Sequence, residues 1–168
     1  MRIAFSGSHS VGKTTSVLEK AHEMKMIHPT KSVGIFMENA RHSPFKINKD
    51  GNSKSQMWIF CSQLQHELFL EANYDIVICD RTIIDSIAYT RINGGGDDEL
   101  ALAMIEMAKH HIESYDKIYF KTIINNDYLV EDGVRDGVDR SYRMTVEHHM
   151  VNIYDELLKC REVNIEYI

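Results

Sequence analysis

Short apolar runs recur along the chain, and between them apolar residues return every three or four positions. The first pattern suits buried strands and the second suits helices packed on one face. Residues 2–6, "RIAFS", read as a strand, and a helix is predicted from Lys13 to about Met26, with Pro29 beyond its end. "SVGIFM", 32–37, reads as a second strand. The polar segment 41–54, which carries Pro and Gly, reads as a loop. From Ser55 to Ala72, Met57, Phe60, Cys61, Leu64 and Leu68 fall at helical spacing. "DIVIC", 75–79, is a β-branched run of the kind found in central parallel strands. Residues 82–92 and 100–111 read as helices on either side of a glycine triplet, 117–123 as a strand, 141–160 as a helix and 163–168 as a closing strand.

Strands alternating with helices predict a parallel sheet of five strands covered on both faces, an α/β fold in three layers. The length of 168 residues predicts a single domain spanning 1–168. In such sheets ligands bind outside the carboxyl ends of the strands. The polar clusters fall there: Gly7 to Thr15, Glu38, Asp80 with Arg81, and the 125–140 stretch.

Composition narrows the classes. Hydrophobic residues make up 43%, enough for a packed core. No apolar run approaches the roughly 20 residues that span a bilayer, and the N-terminus does not read as a secretory signal. Cys61, Cys79 and Cys160 are scattered as free thiols of a reducing cytosol would be, so the expected location is cytoplasmic. His110, His111, His148 and His149 form no convincing ligand set and read as solvated helix positions. Nineteen Lys and Arg are dispersed among twenty-five acids, for a net charge of −6. That argues against duplex nucleic acid as a partner and leaves room for a local basic site for a small anion.

"GSHSVGKTT" supplies such a site. It matches G-x-x-x-x-G-K-[ST], with a strand before it and a helix opening on it. Gly7, Ser8, His9, Ser10, Val11, Gly12, Lys13, Thr14 and Thr15 form the candidate nucleotide cradle. Backbone N–H groups and the helix N-terminus suit a phosphate, Lys13 suits the β- and γ-phosphates, and the Thr14 hydroxyl suits Mg²⁺. The expected ligands are ATP and Mg²⁺. This loop serves many reactions, so the acceptor site must decide the chemistry.

The order "GSHSVGKTT", "FMENAR", "QMWIFCSQLQ", "VICDRTIIDSIAY" and "VEDGVRDGVDRSYR" resembles small P-loop nucleoside and nucleotide kinase-like domains. It is similar to the ribosylnicotinamide kinase domain of the NAD-biosynthesis regulator and, more distantly, to deoxynucleoside and thymidylate kinases, with phage-type relatives. The resemblance covers nearly the whole chain and implies a nucleoside-monophosphate-kinase-like sandwich with an Arg-bearing lid over about 125–143. It implies that Glu38 is the general base or hydroxyl anchor for the attacking oxygen; the alternative is a strand-end carboxylate paired with Arg41. Arg41 is a candidate for an acceptor phosphate. Gln63, one seven-residue step from Gln56, is the candidate for a nucleobase edge, with Trp58 and Phe60 as candidate walls. Asp80 takes the metal-facing position after the central strand, and Arg81 faces the transferred group. The alternative for that pair is a mutual salt bridge. Asp85, at i+4, either orients Arg81 or complements the helix dipole. Arg135 and Arg140 are the expected lid cations, ahead of Arg143. Similar kinases add a loop and helix on the adenine after the last strand; the sequence ends at Ile168, which leaves donor-base choice open.

These residues point to transfer of the γ-phosphate of Mg-ATP to a small nucleoside-type acceptor. Arg41 and the basic "KINK" loop lean the reading toward a (deoxy)nucleoside monophosphate. The alternatives are a nucleoside or ribosylnicotinamide-type kinase, a kinase acting on a polymer, or a non-catalytic ATP-binding switch. No membrane partner is expected, and a homodimer is compatible with the sequence.

Overall fold

A computed structural model describes residues 1–47, 51–93, 98–125 and 139–168. Its five strands are β1 (Arg2–Ser6), β2 (Val33–Phe36), β3 (Ile76–Asp80), β4 (Lys117–Phe120) and β5 (Ile165–Tyr167). They form one sheet in the order β2-β3-β1-β4-β5, and every pairing is parallel. The helices are α1 (Lys13–Ile27), α2 (Ser53–Asn73), α3 (Ile83–Asn93), α4 (Asp98–His111) and α5 (Arg140–Leu158).

The strand period of two sorts the core into two layers. Ile3, Phe5, Ile76 and Ile78 pack on Val17, Ala21 and Met24 of α1. Ala4, Val77 and Cys79 face the opposite way, onto the larger core built with α2 to α5. Both faces of β1 and β3 are therefore buried, which explains why these strands read as continuous apolar runs.

The predicted face of α2 holds only in part: Phe60 is buried in the core and Leu64 packs against it. Met57 and Leu68 are about half exposed, and Cys61 is exposed as well. The buried face is Ser55, Gln56, Ile59, Phe60, Gln63 and Glu67. This helix turns polar residues inward because a pocket and a charged cluster lie beneath it, so apolar spacing misreads it. Its start is set by a capping box between Asn52 and Ser55, two residues before the predicted start. His111 also departs from expectation: it is buried, with Nε2 2.8 Å from Glu67 Oε2.

Candidate active site

The phosphate loop leaves β1 at Gly7, whose φ of 135° is forbidding for any side chain. A Cβ here would also collide with the Lys121 carbonyl at the end of β4. Ser10 and Gly12 take the left-handed region, at φ 59° and 71°, and α1 begins directly after. Lys13 folds back on its own loop, donating to the Gly7 and Ser8 carbonyls at 2.9 and 2.6 Å. Burial first, and then the neighbouring Arg81 charge, push its pKa down to about 7.

Thr14 donates its hydroxyl to Asp80 Oδ2 at 2.5 Å, across from the loop to the end of β3. The other oxygen, Asp80 Oδ1, is buried without a hydrogen-bond partner. A hydroxyl and a carboxylate in contact, with one carboxylate oxygen to spare, are hard oxygen donors of the kind Mg²⁺ takes together with water and phosphate oxygens. The residues present fit the metal.

Arg81 follows Asp80 but does not pair with it. Its φ is 87°, a conformation that residues other than glycine rarely adopt, and two carboxylates hold the side chain. Nη2 lies 2.8 Å from Glu38 Oε1, and Nη1 lies 3.3 Å from Asp85 Oδ1. Burial opposes the charge, yet Glu38, Asp85 and the other negative groups around it drive the Arg81 pKa up and keep it cationic. Asp85 is itself fixed: Oδ2 accepts from Ser6 Oγ at 2.8 Å and from the Thr82 N–H and hydroxyl, both at 3.0 Å. The chain Thr82-Ile83-Ile84-Asp85 thus caps α3 and orients Arg81 with the same carboxylate.

An open pocket of about 420 Å³, mouth included, adjoins this pair. Its lining includes Glu38, Arg81, Asp85 and Tyr89, with Gln56, Ile59 and Gln63 from α2. The expected Glu38, Gln63 and Arg81 are therefore brought together. Arg41 is exposed on the short turn Ala40–His42 and does not line the pocket; Lys46 is exposed as well. Arg140 is exposed at the start of α5, and Arg135 and Lys49 lie outside the described residues. Thr15 is exposed on the first turn of α1, and Val11 is buried beneath the loop.

Trp58 and Phe60 do not line the pocket; Ile59 and Tyr89 do. Tyr89 was legible only as a spacing: Asp85, Ser86 and Tyr89 fall at i, i+1 and i+4, one face of α3. Its ring lies against Arg81, 5.7 Å from centroid to guanidinium carbon, and its hydroxyl is 3.2 Å from His9 Nδ1. Burial pushes the Tyr89 pKa up to about 12, so the phenol keeps its proton. Arg143 is the other surprise. It is fully buried and donates from Nε to the His9 carbonyl at 3.1 Å and from Nη2 to the Ser10 carbonyl at 3.3 Å. It braces the phosphate loop from behind.

A family model described as an AAA domain matches residues 2–168. No curated protein sequence matches the chain significantly. Thymidylate kinase from Ehrlichia chaffeensis superimposes with a TM-score of 0.66 at 21% identity, over 100% of this chain and 91% of that one. Deoxyadenosine kinase from M. mycoides, solved with dCMP and dCDP, gives 0.63 at 16% identity, over 100% and 89%. The same enzyme with dATP gives 0.63 at 17%, over 100% and 90%. The likeness is one of fold: the five-stranded parallel sheet of P-loop nucleotide kinases.

Proposed function

Because the chain belongs to the AAA domain family, and carries a pocket walled by Glu38 and Arg81 next to Asp80 and the phosphate loop, we propose that it is an ATP-dependent phosphotransferase acting on a small nucleoside-type acceptor. The observation that carries this reading is Glu38, a carboxylate in the pocket wall held 2.8 Å from Arg81. A carboxylate can serve as base for water or for an alcohol, but here it lines a pocket together with Gln56, Ile59 and Gln63, which suits an acceptor molecule that carries the hydroxyl.

In this reading Glu38 takes the proton of the acceptor hydroxyl as its oxygen attacks the γ-phosphorus. A new P–O bond forms, the bond to the β–γ bridging oxygen breaks, and ADP leaves with the electron pair. Arg81 faces the charge on the transferred group, and Lys13 exchanges its loop carbonyls for phosphate oxygens. Thr14 and Asp80 would hold Mg²⁺, which when bound neutralises the phosphate charge. Arg135 and Arg140 remain proposed lid cations.

Charge favours an uncharged acceptor with a free hydroxyl. Of the described side chains lining the pocket, Glu38 and Asp85 carry negative charge against the one guanidinium they share. A phosphate there would meet two carboxylates. The second reading, a nucleoside monophosphate, is favoured by one group: Arg81 Nε is buried without a partner and has a donor to give an added oxygen.

The test is ATP consumption by the full chain against a panel of nucleosides, ribosylnicotinamide and nucleoside monophosphates. One acceptor class should raise turnover by about tenfold or more over background, and Lys13→Ala should abolish it. Flat hydrolysis across the panel overturns the kinase reading in favour of a nucleotide-dependent switch.

A further inference from the structure

Two glutamine amides reach the acceptor pocket from α2, and their surroundings differ. Gln56 and Gln63 are 3% and 1% exposed, and both line the pocket. The Gln56 amide makes no hydrogen bond to any described residue. The Gln63 amide is not free: Nε2 donates to Glu67 Oε1 at 2.7 Å. Its Oε1 has no donor among the described residues and opens on the pocket.

Glu67 is fully buried, one turn further along α2, and is itself pinned. Its second oxygen accepts from the Tyr115 hydroxyl at 2.7 Å and lies 2.8 Å from His111 Nε2. Arg2 Nη1 stands 3.5 Å away and pairs through Nη2 with Glu71 at 2.5 Å. Burial and the Glu67 charge both raise the Tyr115 pKa, so this phenol donates and Glu67 accepts. With the Tyr115 hydroxyl and the Arg2 guanidinium presenting donors to Glu67, its oxygens act as acceptors. Gln63 must then turn its nitrogen toward Glu67 and its oxygen toward the pocket.

From this geometry we infer that Glu67 is a positioning residue that sets which nucleobases the pocket accepts, by fixing the direction of the Gln63 amide. The inference rests on the proposed kinase reading. Adenine and cytosine present an exocyclic donor beside a ring acceptor on the Watson–Crick edge; guanine and uracil present the reverse order. The sugar hydroxyl, held at Glu38, fixes the direction in which the edge arrives. A clamped amide therefore suits one order and leaves buried groups unpaired against the other, whatever the ring size.

The experiment measures ATP turnover and equilibrium binding with the 2′-deoxynucleosides of adenine, guanine, cytosine and uracil, and with their 5′-monophosphates. Comparison within ring size removes steric effects. Adenine against guanine and cytosine against uracil should differ in the same direction, each by about tenfold or more. Glu67→Gln, whose amide can donate as well as accept, releases the orientation of Gln63. Both ratios should fall to within about threefold of unity. Tyr115→Phe removes the bonds of that hydroxyl to the far oxygen of Glu67 and to the Ile83 N–H but leaves the Gln63 contact with the near oxygen, so it lowers stability and keeps the ratios. Opposite signs for the two pairs, or preferences in the wild-type chain that follow ring size alone, overturn the inference and need no variant. Unchanged ratios in a folded Glu67→Gln chain overturn it too. If no acceptor stimulates turnover or binds, the kinase reading itself has failed and takes this inference with it.

Discussion

Glu38 and Lys13 are each defined by what they touch before any ligand arrives. Glu38 to Gln keeps the shape of the pocket wall and a hydrogen bond to Arg81 but removes the base. We expect kcat to fall by about 10²-fold or more with ATP affinity little changed, as separated by steady-state kinetics and direct ATP binding. Full kcat in Glu38→Gln would remove the base assignment. Lys13 makes a different prediction. Its pKa moves from 10.5 in the unfolded chain to about 7 in the folded one. Between those values the unfolded chain holds the extra proton, so this group makes stability rise with pH, and below about pH 7 its penalty is fully present. Phosphate oxygens favour the charged amine, so ATP binding near pH 8 should take up protons. Calorimetry in buffers of different ionisation enthalpy measures this, and Lys13→Ala should show no such uptake.

At the scale of elements, α5 and the phosphate loop behave as one unit through Arg143. Its guanidinium donates to the His9 and Ser10 carbonyls and so ties the path of the loop backbone to the first turn of α5. Arg143→Met fills much of the same volume and strands those carbonyls without their donor. The expected loss is about 2–4 kcal/mol in urea unfolding, with weaker ATP binding in the same variant. Arg143→Lys keeps a charge but not the fork, so it should fall between the two. A variant as stable and as tight as the wild-type chain would show that the brace is dispensable. The helix α2 carries the complementary lesson. Its polar inner face, Gln56, Gln63 and Glu67, has no apolar period to betray it, because those residues serve a pocket and a buried ion cluster and not the core.

Across the whole molecule, what the sequence made legible was what local physics dictates. Five apolar runs became five parallel strands, and the glycine-rich turn sits where a strand meets a helix. Asp80 and Arg81 were readable as a polar break at a strand end. Their partners were not, because Arg81 finds Glu38 and Asp85 through chain reversals that no spacing encodes. Tyr89 against Arg81, and Arg143 beneath the loop, are likewise products of helix packing. The contact between Gly7 and the end of β4 has a bearing on how such a chain can drift over evolutionary time. Two unrelated constraints, a φ of 135° and the Lys121 carbonyl, fall on one position. Relaxing either leaves the other in force, so position 7 has no single-step route away from glycine. Ser10, at φ 59°, carries the milder left-handed constraint, which Asn, Asp and Gly also meet. Lineages descending from this sequence should therefore vary in the middle of the loop and stay frozen at its first residue.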